Sequence, residues 1–346
     1  MPKKMRFGDE TVALGERKRL FLRVAALHDF TDMSLPVEVI RGKRDGPNLF
    51  ISAAIHGDEI SGVEIVKRVL KRVEVNDLTG TLIAVPIVNV FGYNARKRYL
   101  PDRRDLNRTF PGRPNGSLAA RLAWLFIEEI VSKCSHGIDL HSGASHRVNL
   151  PHIRACLDDP ETERLARAFG VQVVLHSALR DGSLREAARE KGVSMMLFEG
   201  GEALRFDESV IEVGVEGCLS VMNEIGMLKG GFAEGDTRDS RGARPAATKE
   251  IFIAHGSFWV RAPHSGSFVP RRKMGDRVRA GDVLALISDP FGIEEHEVRS
   301  PVEGIIIGGT TIPLVHRGDA MFHVATFTNN RTVGRALRQK AKSAGV

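Results

Sequence analysis

Short apolar runs that end in polar residues or glycine, separated by segments of helical period, recur through the first two-thirds of this 346-residue chain. That alternation constrains the fold more than any other feature. "NLFISAAI" (48–55) is nearly continuous in its apolar character, as expected of a strand buried on both faces. "EISGVEIVKRVLKRV" (59–73) follows, with Ile60, Val63, Val66, Val69 and Leu70 on one helical stripe. "TLIAVPIVNVFG" (81–92) reads as the next buried strand. "SLAARLAWLFIEEIVSKC" (117–134) is an amphipathic helix with Ser117 placed as its N-cap. "HGIDLHSG", "HIRACLD", "VQVVLHS" and "VSMMLFEGG" then repeat the strand-like pattern. Alternation of this kind predicts an α/β region with a mostly parallel or mixed central sheet.

The texture changes at residues 230–248, "GGFAEGDTRDSRGARPAAT", where glycine, charge and proline replace any apolar period. The expected organisation is a catalytic region over 1–235, a linker over 236–250, a small all-β region over 251–328 and a basic tail over 329–346. The all-β segment repeats itself. "RAPHSGSFVP" (261–270) is similar to "RSPVEGIIIG" (299–308), and "AGDVLALI" (280–287) to "RGDAMFHV" (317–324). Two such units related by a pseudo-twofold resemble the biotinyl/lipoyl-carrier sandwich. A carrier holds its acceptor lysine in the hairpin between the halves. Here that hairpin reads "SDPFGIEEHE", and no lysine occurs between Lys273 and Lys340, so covalent cofactor carriage is excluded.

Composition narrows the function classes. With 42% hydrophobic residues the chain can build a real core. No apolar run reaches the ~18 residues of a membrane span. Met1–Leu20 shows no apolar signal-peptide core, so a cytoplasmic protein is expected. Cys134, Cys156 and Cys218 are widely spaced and odd in number, which predicts buried thiols rather than disulfides or a cysteine zinc site. The net charge of +7 suits anionic small molecules. Residues 95–113, "ARKRYLPDRRDLNRTFPGR", are basic but carry no nucleic-acid-binding signature, so no nucleic-acid partner is expected. Self-association remains open.

The chemistry concentrates where the apolar runs stop. His56 and Glu59 follow the first run, where open α/β sheets place their ligands, and Glu59 is expected in the first helical turn. Spacing of three can aim imidazole and carboxylate at one point, and both are zinc donors. Taken singly, a histidine is more often a satisfied surface or core residue, and Glu59 could simply complement a helix dipole. His141, ending "GIDLHSG", is the candidate third ligand. Glu199 closes the apolar run "SMMLF", where partial desolvation would raise its pKa toward the range of a general base. Asn107 and Arg108 sit in "RDLNRTFPG", where a guanidinium offers a fork to a carboxylate.

Taken together, H-x-x-E, D-L-N-R-x-F-P-G, D-L-H-S-G and F-E-G-G, in that order over roughly residues 35–225, resemble the succinylglutamate desuccinylase/aspartoacylase family, which belongs with the zinc carboxypeptidases. The resemblance implies a zinc-carboxypeptidase-like mixed sheet flanked by helices, with His56, Glu59 and His141 holding one Zn2+. It also implies Asn107, Arg108 and Arg98 as substrate-binding residues, Glu199 as the catalytic glutamate and Asp139 as a group behind the metal shell. The implied reaction is hydrolysis of the amide of an N-acyl amino acid, a small carboxylate-bearing substrate. Rival readings are a metallocarboxypeptidase on the same scaffold and a non-catalytic metal-containing binding module. Aspartoacylases use tyrosine and arginine contacts late in the chain. Only Tyr93 and Tyr99 occur here, so that part of the pocket is expected to differ.

Overall fold

The structure, a computed structural model, describes residues 4–228 and 251–327, so the expected linker and basic tail lie outside the described residues. Ten strands define the main path of a 13-stranded sheet. In chain order they are β1 (Arg17–Ala26), β2 (Asp32–Arg41), β3 (Arg44–Ala53), β4 (Thr79–Val85), β5 (His136–Gly143), β6 (Arg147–Ala155), β7 (Ser194–Glu202), β8 (Gly256–Arg261), β9 (Gly304–Thr310) and β10 (Ala320–Thr326). Their spatial order is β8-β10-β9-β6-β7-β5-β3-β4-β2-β1. The centre is parallel: β4, β3, β5 and β7 run together. Antiparallel β2 and β1 extend one side, and antiparallel β6 extends the other. This is the expected mixed α/β sheet.

Period-two alternation explains why the central strands read as continuous apolar runs. Leu49, Ile51 and Ala53 of β3 face one core with Leu82 and Ala84 of β4 and Met196 and Phe198 of β7. Helices α1 (Ser61–Arg72) and α3 (Glu208–Glu224) cover that face with Ile65, Val66, Val69 and Leu219. The intervening residues Phe50, Ile83, Val85 and Met195 face a second core, covered by α2 (Leu118–Glu129) through Leu122, Ala123 and Phe126. Ser117 caps α2 as expected, accepting from Ala120 N.

Two local expectations need correction. The run 81–92 is not one strand: β4 ends at Val85 before Pro86, and Val90–Ala95 is a short helix whose Asn89 cap accepts from Gly92 N. Nor does Glu59 fall in the first helical turn. α1 begins at Ser61, and Glu59 N donates instead to His56 O in a turn ahead of it.

Residues 251–327 are all β, and each sequence repeat yields an antiparallel pair. Gly266–Pro270 pairs with Val283–Ser288, and β9 pairs with β10. The first pair belongs to a separate four-stranded sheet packed over a shared apolar core. The second joins the main sheet: Gly308, Gly309 and Thr310 of β9 lie opposite Asn149, Val148 and Arg147 of β6. Phe252–Ala254 likewise pairs in parallel with Val173–His176. The C-terminal region is therefore continuous with the central sheet. No helix among the described residues is long and apolar enough to cross a membrane.

Candidate metal centre and active site

Parallel strands deliver their last residues to the same edge, and three of them deliver the chemistry. Past β3 the chain turns sharply, with Ala54 in the left-handed region (φ 52°), and presents His56. Gly57 lets the turn rest on the Val90–Ala95 helix; a Cβ there would fall 2.0 Å from Gly92 C and 2.2 Å from Tyr93 N. His141 lies near the end of β5, and Glu199 sits directly beside it in the β7 register.

His56, Glu59 and His141, all buried, offer ligand atoms within 4.8 Å of one another. Nδ1 of His56 lies 2.7 Å from Glu59 Oε1, and Nδ1 of His141 lies 2.7 Å from Glu59 Oε2. The other ring nitrogens are held by carboxylates: His141 Nε2 by Asp139 at 2.7 Å, His56 Nε2 by Asp105 at 3.1 Å. Ser52 Oγ in turn donates to Asp139. A carboxylate behind each imidazole is the arrangement that fixes ring orientation and raises donor basicity in metal sites. Two imidazoles and one carboxylate, each backed by a partner, suit a divalent ion such as zinc.

The electrostatics follow from burial and pairing. Burial opposes charge on Glu59, yet the imidazoles of His56 and His141 hold its carboxyl well below the ordinary range. Burial likewise works against charge on His141, but Asp139 and Glu59 raise it well above the ordinary histidine value. Burial also disfavours charge on His56, whose pKa Glu59 and Asp105 nevertheless raise. Arg98 donates to Glu59 and to Asp105 at 3.0 Å each, so it lies against the triad. Glu199 behaves differently. Only 13% of its side chain is exposed, and burial raises its pKa against the opposing charges of His141 and Arg154. Asn149 Nδ2 donates to it at 2.9 Å.

One pocket gathers all seven candidates: His56, Glu59, Arg98, Asn107, Arg108, His141 and Glu199. Asn107 is buried, its Oδ1 accepting from Leu184 N, which leaves its amide NH2 as the group able to face a ligand. Arg108 follows it in a short 3-10 turn, donating to Asn107 O.

Comparison with known proteins follows the same lines. Residues 45–225 match the succinylglutamate desuccinylase/aspartoacylase catalytic domain, just over half of the chain. The chain belongs to that family. An N-alpha-acetyl-L-2,4-diaminobutyric acid deacetylase from Halomonas elongata is 27% identical over 304 residues, covering 84% of this chain and 85% of the relative. Two solved structures share the fold at 23% identity and a TM-score of 0.75. One is a succinylglutamate desuccinylase/aspartoacylase from Rhodobacter sphaeroides, covering 90% of this chain and 95% of that one. The other is a product-bound ectoine utilization protein from Ruegeria pomeroyi, covering 90% and 94%.

Within this family member the sequence reading passed over several side chains that touch the site. Asp105 lies inside the "RDLNR" motif, and its cap on the 3-10 turn, where it accepts from Asn107 N, was the available signal. Asn149 and Arg154 reach Glu199 from antiparallel β6, and Trp259 enters the pocket from the C-terminal region. No local pattern marks these, because strand register alone brings them in.

Proposed function

We propose that this chain is a zinc-dependent amidohydrolase that removes the acyl group from an N-acyl amino acid. The observation that carries the reading is the convergence of His56, Glu59 and His141 at one sheet edge, with Glu199 one strand away in the same pocket. His56, Glu59 and His141 would hold the ion. When bound there, zinc supplies Lewis-acid polarisation of the scissile carbonyl and lowers the pKa of the attacking water.

The remaining roles belong to this chain's own side chains. Glu199 takes the proton of the attacking water and returns it to the departing amine, a task favoured by its raised pKa. Asn149 holds the Glu199 carboxylate in place. Arg108 and the Asn107 amide grip the substrate carboxylate, which positions the amide. Arg98, anchored on Glu59 and Asp105, faces the oxyanion that develops as water attacks. The C-terminal region is read as a lipoyl-like sandwich that has lost carrier chemistry and instead braces the pocket.

The name of the Halomonas elongata relative, a deacetylase of an N-acetylated amino acid, favours this reading over a carboxypeptidase. Glu199→Gln tests it. The variant is expected to keep one zinc per chain while hydrolysis of N-acetyl amino acids falls about 100-fold or more. Undiminished turnover would remove Glu199 from the mechanism. Cleavage of dipeptides alone would move the chain to the carboxypeptidase reading.

A further inference from the structure

Among the described residues of the C-terminal region, one side chain lines the pocket: Trp259, on β8. It lies opposite His323 of β10, and the two rings stack with centroids 4.4 Å apart and planes 2° from parallel. His323 is buried and covers one face of the indole. The Arg147 guanidinium sits 4.9 Å from the indole centroid. Arg147 opens β6, whose pairing with β9 ties it to the C-terminal region. The guanidinium therefore lies over the indole, and the extended sheet brings the stacked pair to the pocket.

The rest of the pocket makes this pair informative. Five further arginines line it: Arg98, Arg108, Arg154, Arg180 and Arg185. Arg98 and Arg154 are paired with carboxylates. Arg185 is buried yet donates only to Ser177 and to the Ala178 carbonyl. A cationic cluster of this kind repels a second cation and favours hydrogen-bond acceptors. The indole face under Arg147 is already taken by that guanidinium, so Trp259 orients a hydrogen-bond donor at the pocket.

We propose that Trp259 and Arg147 form a specificity wall, in which the indole orients the Arg147 guanidinium to hold a substrate arm ending in a hydrogen-bond acceptor and to turn away an arm ending in an ammonium. The inference rests on the deacylase reading and deepens it. It separates this chain from a preference for N-acetylated diaminobutyrate, whose side chain carries an ammonium at neutral pH. A carboxamide arm is the sharper probe, because it isolates acceptor geometry from net charge.

The test compares kcat/KM for N-acetylglutamine, N-acetylglycine and Nα-acetyl-2,4-diaminobutyrate in the zinc-loaded full chain. The glutamine compound is expected to exceed the diaminobutyrate compound at least about tenfold, because the arginines repel the ammonium. Trp259→Ala and Arg147→Ala are each expected to lower the glutamine-to-glycine ratio about tenfold, mainly through KM, with Trp259→Phe retaining most of it. The chain has two tryptophans, so Trp124→Phe leaves Trp259 as the reporting indole. Its fluorescence should respond to the product glutamine and not to glycine, a readout independent of turnover and of whether Trp259→Ala folds. Turnover with unchanged ratios and a silent indole would overturn the wall while leaving the deacylase intact. A responsive indole without any turnover would support the wall and defeat the deacylase reading instead.

Discussion

Gly57→Ala tests whether the fold builds the site as described. The added Cβ would lie 2.0 Å from Gly92 C, 2.2 Å from Tyr93 N and 2.5 Å from Gly92 Cα. Carbon atoms in contact rest about 3.5–4.0 Å apart, so the His56 turn and the Val90–Ala95 helix must separate by roughly 1.5 Å. Every obstructing atom is backbone, so no side chain can swing aside. Overpacking typically costs about 1–3 kcal/mol; with no flexible neighbour the expected loss is at the top of that range or beyond, about 3–5 kcal/mol. Gly192→Ala is the control. It has a φ of +74° and nothing within 4 Å, so only the left-handed penalty of about 1–2 kcal/mol applies. Urea unfolding followed by circular dichroism gives both stabilities, and elemental analysis of the zinc-reconstituted proteins gives the ion content. Gly57→Ala should lose zinc as well as stability, because His56 is its neighbour in the chain, while Gly192→Ala should keep its ion. Equal stability losses with equal zinc content would refute the claim that this contact holds the triad together.

Two more outcomes follow from the site and its surroundings. Asp105→Asn removes the carboxylate that faces His56 Nε2 and anchors Arg98, so zinc affinity, measured by competition with a chromophoric chelator, should fall about 10–100-fold; unchanged affinity would remove Asp105 from the site. His152 and His323 are buried, which pushes their pKa values down to about 4 and about 3. Both stay neutral when folded and charge when unfolded, so their contribution is complete above pH 6.5 and is lost as pH falls below it. Each adds a slope of about 1.4 kcal/mol per pH unit, or about 4 kcal/mol for the pair at pH 5. Unfolding free energies at pH 7 and pH 5 should show that fall, and the double variant His152→Gln with His323→Gln should flatten it; an equally steep fall in the variant would assign the acid sensitivity elsewhere.

The sequence disclosed what depends on local pattern. The runs "NLFISAAI", "HGIDLHSG" and "VSMMLFEGG" are legible because a strand covered on both faces needs apolar side chains at every position, so its polar end stands out. The same contrast exposed His56, Glu59, His141 and Glu199, which the structure gathers into one pocket. β1 was readable but unread: Leu20 and Leu22 point inward between Arg19, Phe21 and Arg23. Other features were not readable. The union of β6 with β9 joins residues far apart in the chain, and nothing in "RVNLPHIRA" or "GIIIGGT" names its partner. Trp259 depends on that union, and Asn149 and Arg154 on the pairing of β6 with β7, which is why the second half of the pocket escaped notice while His56, Glu59 and His141 did not.

The seam between β6 and β9 also bears on how the chain can be cut. Gly308 lies against Asn149, and a Cβ there would come within 2.8 Å of its Oδ1. Removing everything after Leu228 would strip Arg147, Val148 and Asn149 of β6 of their strand partners on β9 and bare Leu150 and Val173, leaving a raw border that invites pairing with other chains. A shortened enzyme would thus be expected to clump before its chemistry could be assayed, and the hand that steadies Glu199 would be loosened at the same stroke.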